Sequence, residues 1–214
     1  VQTCALPISS PVNFRPAEHG FDLSLHSATK YLNGHTDIVA GAIIGKKDRI
    51  EKITHNVNHL GGTLDPHTAF LLHRGMKTLT LRVQYQNQSA LTLAKFLEQH
   101  PKIAKVNYPG LESNKSYKRA KELFNGCSGM LSFEIKGDVD ATEKFMHKLS
   151  LPSIAPSLGG VESLITRPAT TSHTGMKRED RERLGISDTL IRFSVGIEAT
   201  EDLLEDFEQA LKSI

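Results

Sequence analysis

Short strand-like runs alternating with helical stretches predict an α/β or α+β architecture, in which a long helix joins an incomplete first unit to a compact second one. Three observations carry that reading. Alternating or β-branched runs of strand length recur before residue 46 and after residue 101. Asp65 followed by Pro66 marks a helix start, with an N-cap and proline in the first helical position. The chain closes on a strongly amphipathic helix. A composition of 38% hydrophobic and 23% charged residues over 214 positions is that of an ordinary globular chain, of one large or two small domains.

Residues 9–20, with Pro11, Pro16 and Gly20, read as a loop with a short helical turn. Residues 22–26 alternate apolar and polar and predict a strand. A polar segment at 27–36 follows, then a second strand at 37–45 rich in Ile, Val and Ala, and a charged helix at 46–57 closed by Gly61 and Gly62. From Pro66 a helical stretch runs towards His100, broken near Gly75, with Leu79, Val83, Ala90, Ala94 and Leu97 on one stripe. Residues 102–108 predict a strand ended by Pro109 and Gly110; 130–135, 153–155 and 190–195 predict further strands, and 141–149 a short helix. Thr200 is expected to cap a last helix whose first turn carries Glu201 and Asp202, with Leu203, Phe207, Leu211 and Ile214 on its buried face.

The 26 Lys and Arg against 24 Asp and Glu leave a formal charge of +2, too weak a field to argue for nucleic acid or anionic lipid as partner. Cys4 and Cys127 make no disulfide framework, which suits a reducing compartment. No apolar run approaches the roughly 20 residues that cross a bilayer. Residues 1–8, Val-Gln-Thr-Cys-Ala-Leu-Pro-Ile, are encodable by a sequence resembling the read-through of a short-read sequencing adapter. They are expected to be a cloning or assembly scar, which leaves Cys127 as the native cysteine and the chain starting within a longer gene.

The chemistry concentrates in Ser27-Ala28-Thr29-Lys30-Tyr31-Leu32-Asn33-Gly34-His35. A lysine in a loop just past a strand suits Schiff-base formation with an aldehyde cofactor, the alternative being a surface lysine in a polar loop. Ser27 and Thr29 place hydroxyl donors near it, and Gly34 permits a tight turn. In a strand at 190–195, Ile191, Phe193 and Val195 share one face while Arg192 and Ser194 point the other way. Arg192 then either presents its planar fork to a carboxylate or pairs with a local acidic residue.

The longer pattern Ser27-Ala-Thr-Lys-Tyr-x-x-Gly-His35-x-Asp37 resembles the lysine motif of the Cys/Met-metabolism family of pyridoxal phosphate enzymes. Ser10-Pro11-Val12-Asn13 with Arg15-Pro16, Arg74-Gly75-Met76-Lys77-Thr78-Leu79 with Arg82, and Tyr108-Pro109-Gly110-Leu111 are similar to family segments in the same order. So are Ser157-Leu158-Gly159-Gly160-Val161-Glu162-Ser163, Pro168, His173, Gly185-Ile186 and Arg192-Phe193-Ser194-Val195-Gly196-Ile197-Glu198. The resemblance covers residues 9–214.

It implies the fold type I of pyridoxal phosphate transferases, aspartate aminotransferase-like and truncated, with residues 9–75 as the end of the large cofactor domain and 76–214 as linking helix and small C-terminal domain. It implies pyridoxal 5'-phosphate on Lys30, the phosphate held by Ser27 and Thr29, and the α-carboxylate of an amino-acid substrate held by Ser157 and Arg192. The activity implied for the parent protein is trans-sulfuration by γ-replacement or γ-elimination, cystathionine γ-synthase-like, with this fragment expected to be inactive by itself. Cystathionine γ-lyase, methionine γ-lyase, β-lyase and O-acylhomoserine sulfhydrylase are the alternatives within the family, and a non-catalytic module the alternative outside it. Pro156 departs from the pattern, standing where many γ-acting members carry an acidic residue. A homotetrameric parent is implied. Composition adds the expectation of a cytoplasmic protein without nucleic-acid or membrane partners, an organelle staying open because the N-terminal targeting region is expected to lie outside this chain. The pyridine-pairing aspartate, the stacking aromatic residue and the phosphate nest are expected upstream of this chain.

Other features read as structural. His55 and His59 have zinc-compatible spacing but no third ligand nearby, so no metal is expected. The charged run 176–183 reads as a solvated helix face. Asn87-Gln88-Ser89 fits a glycosylation sequon yet falls within the expected long helix, and Cys127 reads as an unpaired thiol rather than a nucleophile.

Overall fold

In a computed structural model the described residues are 4–5 and 10–214. The opening segment read as a scar lies outside them except for Cys4–Ala5 (β1), whose backbone pairs in parallel with Leu23 and Ser24. Beyond β1, the first sheet holds Leu23–Ser27 (β2) and Gly41–Gly45 (β3), paired antiparallel from Leu23↔Gly45 to Ser27↔Gly41. The strand expected at 37–45 is thus shorter. Ala40 donates its N–H to Thr29 Oγ1 at 2.9 Å, and Asp37 accepts from Asn33 Nδ2 at 2.7 Å, so residues 37–40 are tied to the lysine turn rather than to the β2 ladder.

Lys47–Leu60 (α1) ends at Gly61, one turn beyond the expected helix. Asp65 caps Pro66–Met76 (α2) as its sequence context predicts, accepting from the backbone N–H groups of His67 and Thr68 at 3.0 Å. The break expected near Gly75 falls at residues 77–78, between α2 and Leu79–Gln99 (α3).

The second sheet takes the order β4-β5-β8-β7-β6, from Ile103–Asn107 (β4), Met130–Ile135 (β5), Ser153–Ile154 (β6), Leu164–Thr166 (β7) and Leu190–Ser194 (β8). Its neighbours run antiparallel except β6 and β7. One face is covered by α3, Val139–Lys148 (α5) and Thr200–Lys212 (α7), which meet the strands in a core holding Phe133, Phe145, Phe193 and Phe207. Phe193 and Phe207 stand edge to face at 4.9 Å. Leu203, Phe207 and Leu211 line the buried side of α7 as their spacing requires.

The capping expectation at Thr200 is corrected: Ala199 is the N-cap and Thr200 the first helical residue. Its hydroxyl is instead 2.7 Å from Ser89 Oγ of α3, joining the two helices. Tyr117–Leu123 (α4) and β7 were not expected. α4 buries only Ala120, leaving little amphipathic signal, and β7 is three residues long with every side chain buried, so it shows no alternation. Arg178–Arg183 (α6) is the solvated face its charges predict, with Arg178 paired to Glu182 and Asp188. Asn87 lies inside α3, where its side chain exchanges hydrogen bonds with Asn13 at 2.8 and 3.0 Å.

Candidate active site

Where β2 ends, the chain winds into a single wide turn, Ala28–Leu32, with Asn33 N donating to Ala28 O at 3.1 Å and Gly34 N to Lys30 O at 2.8 Å. Ala28, Tyr31 and Leu32 are buried and anchor the turn, while Lys30 interrupts it with a non-helical φ of −94° and ψ of −126°. Its ε-amine donates to Ser157 Oγ at 2.8 Å. Burial, and then the positive charge of Arg192, hold the Lys30 pKa below the ordinary lysine value, which enlarges the neutral share of the amine.

Ser157 belongs to the loop between β6 and β7 and adopts φ +101°, a strained conformation for a residue with a Cβ. Neighbours on β8 hold it there. Arg192 Nη2 donates to the Ser157 carbonyl at 2.8 Å, and Gly159 N donates to Ser194 Oγ at 2.9 Å. The expected alternation is present. Ile191, Phe193 and Val195 are fully buried in the core, while Arg192 and Ser194 both bond the 157–159 loop. Among the described residues no carboxylate pairs with Arg192, and its remaining N–H groups have no protein partner. Burial lowers its pKa.

Lys30, Ser157 and Arg192 therefore converge. Ser27 and Thr29 lie to one side, bordering an open hollow of about 1020 Å³ between the first sheet and α1, which Lys30, Ser157 and Arg192 do not line. The Ser27 hydroxyl is exposed and has no hydrogen-bond partner among the described residues. The Thr29 hydroxyl accepts from Ala40 N at 2.9 Å and donates to Ala40 O at 3.3 Å.

The sequence assigns no role to four supporting residues, Arg82, Gln86, Tyr31 and Ser128. Arg82 of α3 is buried beneath the lysine turn, donating to the carbonyls of Tyr31 (3.1 Å), Leu32 (3.5 Å), Asn33 (3.4 Å) and Gly75 (2.8 Å). Gln86 Nε2, one turn on, donates to Gly160 O at 2.7 Å. Tyr31 OH lies 3.1 Å from Ser128 Oγ. The signal for Arg82 and Gln86 is a polar pair at i and i+4 on the core stripe of α3, where a solvated residue would not sit. Gly34, with φ +75°, leaves the turn where a Cβ would overlap the Arg82 guanidinium, and a Cβ at Gly75 would overlap the Asn33 carbonyl.

His59 Nδ1 is bonded to His55 O at 2.7 Å, and no three potential metal ligands cluster among the described residues. Burial raises the Cys127 thiol pKa, the opposite of an activated nucleophile.

A sequence model of the family described as Cys/Met metabolism PLP-dependent enzyme matches residues 7–212. Cystathionine gamma-synthase 1, chloroplastic, of Arabidopsis thaliana is 47% identical over 207 residues, covering 96% of this chain and 37% of the relative. Cystathionine beta-lyase of Coxiella burnetii is 44% identical over 205 residues, covering 95% and 53%. The crystal structure of cystathionine gamma synthase from Xanthomonas oryzae pv. oryzae in complex with cystathionine superposes with a TM-score of 0.95 at 39% identity, over 99% of this chain and 55% of that one. The chain thus spans 37% to 55% of the length of these three proteins.

Proposed function

This chain belongs to the Cys/Met-metabolism family of PLP-dependent enzymes, and from that membership we propose that it supplies Lys30, Ser157 and Arg192 to a trans-sulfuration enzyme. The enzyme acts on homoserine derivatives or sulfur amino acids by γ-replacement or γ-elimination, in the manner of cystathionine γ-synthase. The observation that carries the reading is the convergence of an amine and a guanidinium on one serine, with Lys30 on its hydroxyl and Arg192 on its carbonyl.

The donor set suits pyridoxal phosphate: an amine kept less basic than usual, and an unpartnered hydroxyl at Ser27 three residues before it. Lys30 would hold the aldehyde carbon and Ser27 and Thr29 the phosphate, Thr29 exchanging its bond to Ala40 O. When bound, the cofactor supplies an electrophile for amines and a ring that takes up electron density. Lys30 then moves protons at the substrate's Cα and Cβ, work suited to a base whose pKa is drawn down from the usual lysine range. Arg192 orients the substrate, since a guanidinium with free N–H groups grips a carboxylate in two places. Ser157 Oγ, once Lys30 is engaged elsewhere, is available to the same carboxylate.

The 47% identity to the Arabidopsis synthase supports the γ-acting reading. A second reading, β-elimination, is favoured by the 44% identity to the Coxiella β-lyase and by Pro156 before Ser157. We divide the chain at Gly75 into the end of a cofactor domain and a linking helix with a small domain, supported by the two separate sheets. The working assembly is read as a homotetramer, in the cytoplasm or, as the name of the Arabidopsis relative suggests, in an organelle. No helix among the described residues is long and apolar enough to cross a membrane, and light scattering tests the assembly.

The deciding experiment adds pyridoxal phosphate and follows a visible absorbance band that borohydride fixes on Lys30, then assays amino-acid substrates. A four-carbon oxo acid from cystathionine marks γ-elimination and a three-carbon one β-elimination. A band only in a chain extended upstream would assign catalysis to the longer protein. No band in either would leave the non-catalytic module.

A further inference from the structure

Arg82 and Gln86 stand one turn apart on the buried face of α3 and hold opposite walls of the site. Arg82 is 4% exposed and Gln86 fully buried. A buried guanidinium is unfavourable without a counter-ion, yet no carboxylate pairs with Arg82 among the described residues. Its Nη atoms reach three consecutive carbonyls, those of Tyr31, Leu32 and Asn33, plus that of Gly75, while Nε donates to Thr78 Oγ1 at 3.1 Å. Those three carbonyls end the lysine turn, where a helical turn leaves its acceptors without intrahelical partners. On the other wall, Gln86 Nε2 binds Gly160 O three residues after Ser157, while Gln86 Oε1 is buried without a partner. An unsatisfied acceptor is retained at a cost, which argues that the bond to Gly160 is the reason the residue is there.

We propose that Arg82 and Gln86 are positioning residues, and that α3 is a spacer setting the separation between Lys30 and the Ser157–Arg192 pair by holding both backbones through their carbonyls. The proposal rests on Lys30 being the reacting amine. Local propensity does not set that separation: Lys30 departs from helical φ and ψ inside its own turn, and Ser157 sits at positive φ. The charged group facing Lys30 is Arg192 of β8, and the Tyr31 phenol beside it is directed to Ser128.

The test needs no cofactor. Labelling of Lys30 by an amine-selective reagent is followed against pH by peptide mass, with the same peptide of the urea-unfolded chain as reference. Arg82→Met and Gln86→Leu should each move the Lys30 midpoint up towards that of the unfolded chain, as the amine leaves its half-buried, Arg192-facing position. Arg82→Lys, which retains the charge, should recover part of the shift, and Gln88→Ala on the exposed side of α3 should cause none. Folded variants whose Lys30 midpoint stays at the wild-type value would overturn the proposal, as would a wild-type midpoint equal to that of the unfolded chain. If Arg82→Met fails to fold, Arg82→Lys and Gln86→Leu decide. A depressed wild-type midpoint that the variants raise, with no borohydride-fixed band in this chain or in one extended upstream, would instead defeat the cofactor role of Lys30 and leave α3 as the spacer between Lys30 and Ser157.

Discussion

Lys30 Nζ donates to Ser157 Oγ across 2.8 Å although the two residues lie 127 positions apart. Ser157 holds that position at φ +101°, with its carbonyl bound by Arg192. A residue with a Cβ at such a φ costs about 1–3 kcal/mol, which the surrounding contacts must offset. The hydroxyl that meets the lysine is therefore presented by a strained backbone.

Replacing Ser157 separates strain from hydrogen bonding. Ser157→Ala and Ser157→Gly both lose the bond to Lys30, but only glycine relieves the backbone. Ser157→Gly should be the more stable of the two by about 1 kcal/mol. Urea denaturation of both variants measures the difference, and an equal or higher midpoint for alanine would refute the strain.

Arg192 bears on the titration of Lys30. Burial and then Arg192 penalise the Lys30 ammonium, so the folded chain sheds this proton at a lower pH than the unfolded chain, where the ordinary value is 10.5. Between those two values the unfolded state binds more protons, and stability rises with pH. Arg192→Leu removes one of the two causes. The Lys30 midpoint should rise, and the stabilising pH window should narrow from its lower end. Peptide-resolved labelling and denaturation at several pH values check both.

Close approach at Gly75 makes a sharp contrast with Gly175. A Cβ at Gly75 would overlap the Asn33 carbonyl of the lysine turn, whereas one at Gly175 meets nothing within 4 Å. Gly75→Ala should cost about 2 kcal/mol or more and disturb Lys30 labelling, and Gly175→Ala should stay within about 0.5 kcal/mol of wild type. Similar melting temperatures for the two variants would contradict the packing of α2 on the turn.

Asp206 of α7 secures the second sheet's helical layer. Its carboxylate, 7% exposed, accepts from Ser150 N and Leu151 N at 3.0 Å. Asp206→Ala leaves both donors unpartnered, at an expected cost of about 2–3 kcal/mol. Hydrogen exchange at Ser150 and Leu151 should accelerate in the variant; unchanged protection would show the carboxylate to be dispensable.

Much of this fold is legible along the chain because its elements carry local signals. Asp65 and Pro66 start α2 by capping chemistry, and the alternation of Ile191, Phe193 and Val195 with Arg192 and Ser194 follows from the two faces of a strand. Other residues carry no such signature. Leu164–Thr166 is buried on both faces and too short for periodicity, and Thr200 looks like a cap until Ser89 of a distant helix takes its hydroxyl. Arg82 and Gln86 differ from surface residues only in lying on the apolar stripe of α3.

By itself, the sequence determined that Lys30 sits in a polar turn after a strand, that Arg192 faces away from a hydrophobic core, and that the whole carries the pattern of one enzyme family. Only the tertiary structure decided that Lys30 and Arg192 meet on Ser157, and that Arg82 and Gln86 brace the two sides. Capping and periodicity act over a few residues and are written locally. A hydrogen bond between residues 30 and 157 exists only once both sheets have closed against α3, and no local preference encodes that distance.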